Sequence, residues 1–416
     1  MMDKTETKKF YISQIEDKFV PYWLSFIDKE RGGIYTCISN DGEKLISKDK
    51  FIWSQGRWLY ILSSLLEMKN EFKSLDYDEI SQNAYKTASF LINHSFDSDY
   101  RTVFLTKEDG TWVKDSDGDY YSSIYADAFS VLGLSAYSKI TRNRGIGETA
   151  ERIMASMLER VEKVEYKTAP YEIPPTYNSH GIPMILLSTL HEVGAMKESF
   201  HEIAEEIREE EKKQLDLIFS LHFESETNLI REYVSSSPDY SLLLDRHINP
   251  GHILEDAWFW IESMEKDGTI NENLDRVSNI IKKTFSLAWD EEYGGLLRFV
   301  DREGGKPKGK SLGFSYENLV NDTWDMKLWW AHSEMLYLFL KMYDLTGYDE
   351  YLSFYKKVED YVFSTFPSPI NNEWIQIRDR KGRAIDKVVA LPVKDPFHIL
   401  RNFLKIVRLL GGYDAY

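Results

Sequence analysis

The chain has 416 residues, 43% of them apolar and 14% aromatic, with 68 acidic against 51 basic residues for a net charge of −17. An acid excess of that size repels phosphate backbones; it argues against a nucleic-acid partner and favours a small neutral ligand over a heavily phosphorylated one. Cys37 is the only cysteine, which rules out an intrachain disulfide and points to a reducing compartment. The start, Met1-Met2-Asp3-Lys4-Thr5-Glu6, is polar, and no segment reaches the ~18 uncharged apolar residues of a membrane span. A cytoplasmic protein with no membrane partner is expected.

Two kinds of element alternate along the chain. Asp28-Lys29-Glu30-Arg31-Gly32-Gly33-Ile34-Tyr35, then apolar–polar alternation and a turn at Asn40-Asp41-Gly42, predicts a hairpin. From Phe51-Ile52 to Leu66 apolar residues recur at spacings of three and four, which predicts a helix. On it Trp53, Arg57 and Tyr60 share one stripe. Arg57 interrupts that aromatic face, where a guanidinium either binds something or snorkels at the helix edge. A weaker hairpin spans 97–110, with Thr102-Val103-Phe104-Leu105 ahead of Asp109-Gly110. His191-Glu192 and His201-Glu202 each begin a zincin-like string, but Ala195 and Glu205 stand where the second histidine is needed. No metal site is expected. The charged stretch from His201 to Lys213 reads as an outward helix face, and Leu229-Ile230-Arg231-Glu232-Tyr233 as a further hairpin strand.

Asn249 caps a predicted helix with Pro250 at its first position; His252 then lies in the first turn, with Glu255 three residues on and on the same face. Asp290-Glu291-Glu292-Tyr293-Gly294-Gly295-Leu296-Leu297 repeats the first hairpin motif, with a turn near Asp301. Gly304-Gly305-Lys306-Pro307-Lys308-Gly309-Lys310-Ser311 matches the phosphate-loop string. It follows a polar hairpin rather than a buried strand, contains a proline and leads into no helical periodicity, so a solvated loop is expected. Leu328 through Tyr343 is again helical, with Trp330 and Glu334 four apart on one face. An aromatic platform beside a carboxylate suits a sugar, although core packing explains any single tryptophan equally well. Asn371 to Gly382 is a last weak hairpin, carrying Trp374-Ile375-Gln376-Ile377. Near the end, Asp395 as cap and Pro396 at the first position place His398 in a first turn ahead of Leu400, Phe403 and Leu404.

The hairpins centre near 33, 102, 230, 295 and 374, giving gaps of 69, 128, 65 and 79 residues. The long gap is about two units and places a degenerate sixth copy near Glu165 to Tyr171, so each unit averages about 69 residues. Six helix–hairpin–helix units bury their faces by stacking, either as a closed ring of helix pairs with the strands at one rim or as an open helical array. No low-complexity linker breaks the series, so residues 1–416 read as one all-α domain. His252 and His398 share the cap–Pro–x–His placement. The positive end of a helix favours neutral imidazole, which can act as a general base. A histidine that merely packs at a helix start meets the same pattern.

At five ordered motifs the chain resembles the N-acylglucosamine 2-epimerase family, which includes the animal renin-binding proteins. They are Phe51-Ile52-Trp53-Ser54-Gln55-Gly56-Arg57, Pro183-Met184-Ile185-Leu186-Leu187, Asn249-Pro250-Gly251-His252-Ile253-Leu254-Glu255, Lys327-Leu328-Trp329-Trp330-Ala331-His332-Ser333-Glu334 and Phe397-His398-Ile399-Leu400-Arg401. The resemblance implies an (α/α)6 barrel and an isomerase that interconverts an N-acyl-D-glucosamine and N-acyl-D-mannosamine at C2. It implies His252 and His398 as the acid/base pair, and Arg57 and Glu334 as pocket residues. Glu255 would orient His252 or bind a hydroxyl, and Trp330 and Trp53 would line the sugar site. No cofactor or metal is implied. Some members are activated by ATP without consuming it, no residue here places such a site, and a homodimer is compatible with the family. Two departures touch substrate choice: the usual His-Val-Pro-Arg reads His398-Ile399-Leu400-Arg401, and the 304–311 loop is extended. Cellobiose 2-epimerases and mannose isomerases share the fold. Pro183 to Leu187 reads more like the N-acylglucosamine branch. A glycoside hydrolase would need two carboxylates about one bond where these segments offer histidines, and a non-catalytic sugar-binding module has no use for them.

Overall fold

Apolar residues on every face of a helix demand burial on every side, whereas a one-sided stripe leaves a face for water. The chain contains both kinds in alternation, and the computed structural model, which describes residues 2–201 and 205–412, sorts them into two layers. The inner helices are Ile52–Glu67, Ile124–Thr141, Gly181–Ser199, Pro250–Lys266, Trp329–Thr346 and Phe397–Leu410. Each packs against the next, and the sixth returns to the first, so the ring closes. The outer layer comprises residues 4–24 and 205–222, each running through a π-helical stretch, with Tyr77–His94, Arg144–Glu162, Ile270–Ala288 and Asp349–Thr365. Ile270–Ala288 shows the outer pattern: Val277, Ile280, Ile281, Thr284, Phe285 and Ala288 are buried at spacings of three and four. Nearly every side chain of Trp329–Thr346 before Tyr343 is buried. This is the (α/α)6 barrel, and an open array is ruled out. Among the described residues no helix is long and apolar enough to cross a membrane.

Links from inner to outer helices are short, and links from outer to inner helices carry the hairpins, so all the strands gather at the N-terminal ends of the inner helices. The strand entering each inner helix pairs with the hairpin of the following unit. Lys50–Phe51 pairs with Leu105–Thr106, Tyr177–Ser179 with Tyr233–Ser235, His247–Ile248 with Val300–Asp301, and Lys327–Leu328 with Ile377–Arg378. The amide of Lys394 donates to the Thr36 carbonyl at 2.8 Å, closing this rim in the same way as the helices. The degenerate copy near Glu165 to Tyr171 is reduced to a single bridge between Thr168 and Ser123.

A repeated contact sets how each hairpin sits on its helix. The fourth residue of an inner helix accepts a hairpin amide: Gln55 from Ile34 at 2.8 Å, Asp127 from Thr102 at 2.9 Å, and His332 from Leu296 at 2.9 Å. Buried lysines staple the two Asp…Gly-Gly hairpins, Lys50 to Asp28 at 2.8 Å and Lys327 to Asp290 at 3.1 Å. Burying one member of such a pair without the other would cost about 3–5 kcal/mol, so each lysine and aspartate fixes the other's place.

The phosphate-loop string forms a loop that opens no helix and leads to a buried carboxylate. Glu317, wholly buried, takes the amides of Leu312, Gly313 and Phe314 at 2.9, 2.7 and 2.9 Å and the Ser311 hydroxyl at 2.8 Å. These amides follow the string; within it, the Lys308 amide is taken by Asp301 at 3.1 Å and the Lys310 amide by the Ser241 carbonyl at 2.8 Å. Of the zincin-like strings, His191 pairs with Glu211 at 2.9 Å, His201 is exposed, and Glu202 lies outside the described residues.

Candidate active site

Asn249 accepts the His252 amide at 3.4 Å, and Pro250 opens the fourth inner helix as its sequence predicts. At the sixth inner helix the first helical residue is Phe397 rather than Pro396, so the cap position falls to Pro396 and not to Asp395, which one residue earlier still accepts the Phe397 amide at 2.7 Å. Both starts lie at the hairpin rim and turn their histidines toward one aromatic ring. The Trp330 centroid is 5.6 Å from each imidazole, His252 on one helix and His398 on the other. A Cβ on Gly251 would overlap that ring, so the glycine lets the fourth helix approach Trp330.

Each imidazole is held by a buried carboxylate at the same nitrogen. His252 donates from Nδ1 to Glu232, 3.0 Å from both oxygens, and His398 donates from Nδ1 to Glu334 at 2.7 Å. This leaves Nε2 of each ring for chemistry and fixes the tautomer that has its lone pair there. Burial pushes the Glu232 carboxyl up, but His252 and its neighbouring histidines outweigh that and bring it down to about 2. Glu334 is likewise taken to about 2, its burial overcome by Arg401 and His398. Both carboxylates are therefore charged at neutral pH.

Two expectations need correction. The helix terminus is expected to favour neutral His252. Burial does lower its affinity for a proton, but the charge and hydrogen bond of Glu232 prevail and raise it above the ordinary value of 6.5. A full carboxylate in contact exceeds the partial charge of a helix end. Glu255 is expected to orient His252 or bind a hydroxyl; it does not orient His252, since it pairs with Arg401 and lies 3.5 Å from Nδ1 of His398. Glu334 is not a surface for sugar hydroxyls either. It is fully buried, with one oxygen taken by His398 and by Arg401 at 2.6 Å and the other by the Trp258 indole at 2.8 Å. Glu232, Arg401 and Trp258 are the residues sequence reasoning missed. Glu232 gives little signal: it follows Arg231 as a second charged residue between the apolar pairs Leu229-Ile230 and Tyr233-Val234.

Arg57 projects from the first inner helix and pairs with Asp395, just ahead of the sixth. Its guanidinium lies 4.6 Å from the Trp53 centroid, 4.0 Å from Phe129 and 5.0 Å from Phe397, and its Nε is buried without a hydrogen-bond partner. A rigid fork held between rings and paired to Asp395 has a fixed orientation. Tyr60, on the same stripe, lies deeper and packs on Phe397 at 5.7 Å. A cavity of about 810 Å³ lies toward the C-terminal ends of the inner helices, with Tyr60, Lys139, Glu262 and Lys405 in its wall. It includes neither His252 nor His398; the layer formed by Trp258, Glu334 and Arg401 stands between it and them.

Two imidazoles with anchored Nδ1 atoms, a nearby arginine and a shared indole can move protons on and off a carbon beside a carbonyl. The wider comparisons agree. The chain is 26% identical to the N-acylglucosamine 2-epimerase of Bos taurus over 404 residues, 95% of this chain and 89% of the relative. It is 24% identical to that of Mus musculus over 421 residues, 99% of this chain and 94% of the relative. The cellobiose 2-epimerase structure from Bacillus thermoamylovorans superposes with a TM-score of 0.76 at 17% identity, covering 97% of this chain and 99% of that one. The model of the family described as N-acylglucosamine 2-epimerase (GlcNAc 2-epimerase) matches residues 33–401, and on that match the chain belongs to this family of epimerases.

Proposed function

We propose that the protein is a cytoplasmic sugar 2-epimerase that interconverts an N-acyl-D-glucosamine and the N-acyl-D-mannosamine, with His252 and His398 as two bases serving opposite faces of C2. The observation that carries this reading is the matched pair of carboxylate-anchored imidazoles on either helix start, both against Trp330. With the sugar in its open-chain form, Nε2 of one histidine takes the C2 proton, made acidic by the adjacent aldehyde. The electrons pass to the aldehyde oxygen, and the charge of the resulting enolate is met by the Arg57 guanidinium. The other histidine, protonated at Nε2, returns a proton to the opposite face. The raised His252 suits this exchange, since one ring of the pair must carry the extra proton while the other is neutral. Trp330 and Trp53 supply flat faces for the sugar. These steps need neither a metal nor a redox cofactor, and the ligand is a small neutral molecule.

Proton NMR of N-acetylglucosamine in D2O with the purified protein tests this reading. Deuterium at C2 and growth of N-acetylmannosamine signals are expected. C2 exchange confined to cellobiose or mannose would move the substrate to the other activities known on this fold, and cleavage of a glycosidic bond would overturn the epimerase reading.

A further inference from the structure

Behind His252 and Glu232 lies a further pair, His180 and Asp256, that the proposed epimerisation does not use. His180, at the entrance to the third inner helix, is wholly buried and engages Asp256 through Nε2 at 2.7 Å. Its Nδ1 is buried with no hydrogen-bond partner. His180, Glu232 and His252 each bring one ligand-type atom within 4.8 Å of the others. Two imidazoles and a carboxylate form a donor set for a borderline divalent ion such as Zn2+ or Co2+, leaving a further position for water. The His180–Asp256 contact is the outer partner that metal-binding histidines commonly have, since a carboxylate on one ring nitrogen directs the lone pair of the other toward the ion.

The other carboxylate–histidine cluster, Glu255, Glu334 and His398, has similar spacing, but Arg401 already fills it with a cation. Of the two, only the His180 side keeps an unsatisfied lone pair. Metal–ligand bonds of about 2.0–2.2 Å require the three donors to close in by roughly an ångström, within the reach of side-chain rotation.

We propose that His180, Glu232 and His252 form an inhibitory site for a divalent transition-metal ion. The ion would take Nδ1 of His252 in place of its hydrogen bond to Glu232, and the displaced proton would move to Nε2. No electron changes hands and neutral imidazole loses no proton, but the lone pair needed at C2 is gone. Binding stands whatever the reaction is, while the inhibitory consequence rests on the epimerase reading.

The test begins with chelator-treated full-length protein titrated with Co2+, followed by visible absorption, a readout independent of activity. One ion per chain is expected, displaced by Zn2+. His180→Ala and Glu232→Gln should abolish the Co2+ spectrum, and Asp256→Asn should weaken binding roughly 10–100-fold. Should His180→Ala misfold, His180→Asn together with Asp256→Asn gives the same discrimination, with circular dichroism reporting the fold. Zn2+ should also stop C2 exchange in the unmodified protein, with recovery on adding EDTA. Absence of a Co2+ spectrum, or one unchanged in the folded His180 variants, would overturn the site. Co2+ binding without Zn2+ inhibition would overturn its effect on His252.

Discussion

Glu232→Gln isolates the charge behind His252 while keeping an acceptor of the same shape. Two unit charges ~4 Å apart interact by about 4 kcal/mol at an effective dielectric constant of about 20. The His252 side chain is 32% exposed, and screening by water roughly halves that figure, to about 2 kcal/mol. This corresponds to about 1.5 pH units, or roughly 30-fold in rate. The sign follows from the structure. Burial lowers the proton affinity of His252 and Glu232 raises it to a net value above 6.5, so removing the charge drops it. As a base His252 must be neutral, so the acid limb of kcat/KM for the epimer it deprotonates should move down by about 1–2 pH units. On the plateau above that limb kcat should fall roughly 30-fold, because the imidazolium formed on proton abstraction loses its counter-charge. Rates of C2 deuterium exchange from each epimer, followed by NMR between pH 5 and 9, separate the two effects. A limb that stays in place or moves upward would refute the electrostatic argument.

His252→Asn and His398→Asn should each stop net interconversion, with losses of ~10²–10⁴-fold, and each should retain C2 exchange from a different epimer; interconversion by either variant near the parent rate would require one base to serve both faces. Arg57→Lys should be nearly as damaging, because a point charge cannot reproduce a planar fork held between rings and paired to Asp395. Gly251→Ala should displace Trp330 and with it both imidazoles, lowering kcat by about 10²-fold while thermal unfolding still reports a folded barrel. In the 304–311 loop, Lys310→Ala should leave epimerisation unchanged without nucleotide, whereas Glu317→Gln should cost about 1–3 kcal/mol in denaturant titrations, since it weakens the acceptor of three backbone amides. Glu334, held down to about 2, contributes stability that is present above the unfolded value near 4.5 and lost as pH falls toward 2, so Glu334→Gln should flatten the acid limb of stability in that window.

What the sequence alone determined is local and periodic. The Asp…Gly-Gly hairpins at 28–35 and 290–297 announce themselves because tight turns need glycine, and their spacing counts the units of the ring. The starts at Asn249-Pro250 and Asp395-Pro396 are visible because caps act within three residues, and they place His252 and His398 in first turns. Whether those first turns meet is a matter of closure, which joins helices far apart in the chain, and only the tertiary structure decided it. The same holds for electrostatic partners. Glu255 shares a helix face with His252, yet its carboxylate goes to Arg401, 146 residues away, because a buried guanidinium attracts a carboxylate more strongly than a helix neighbour does. Glu232 stands in the bend between the short strands Leu229–Ile230 and Tyr233–Ser235, twenty residues before His252, and nothing in its spacing reveals that the chain folds it beneath the imidazole. Short-range rules govern where each helix begins, but burial makes charges choose partners by distance in space, so the protonation of His252 was written into the closed ring rather than into its own segment.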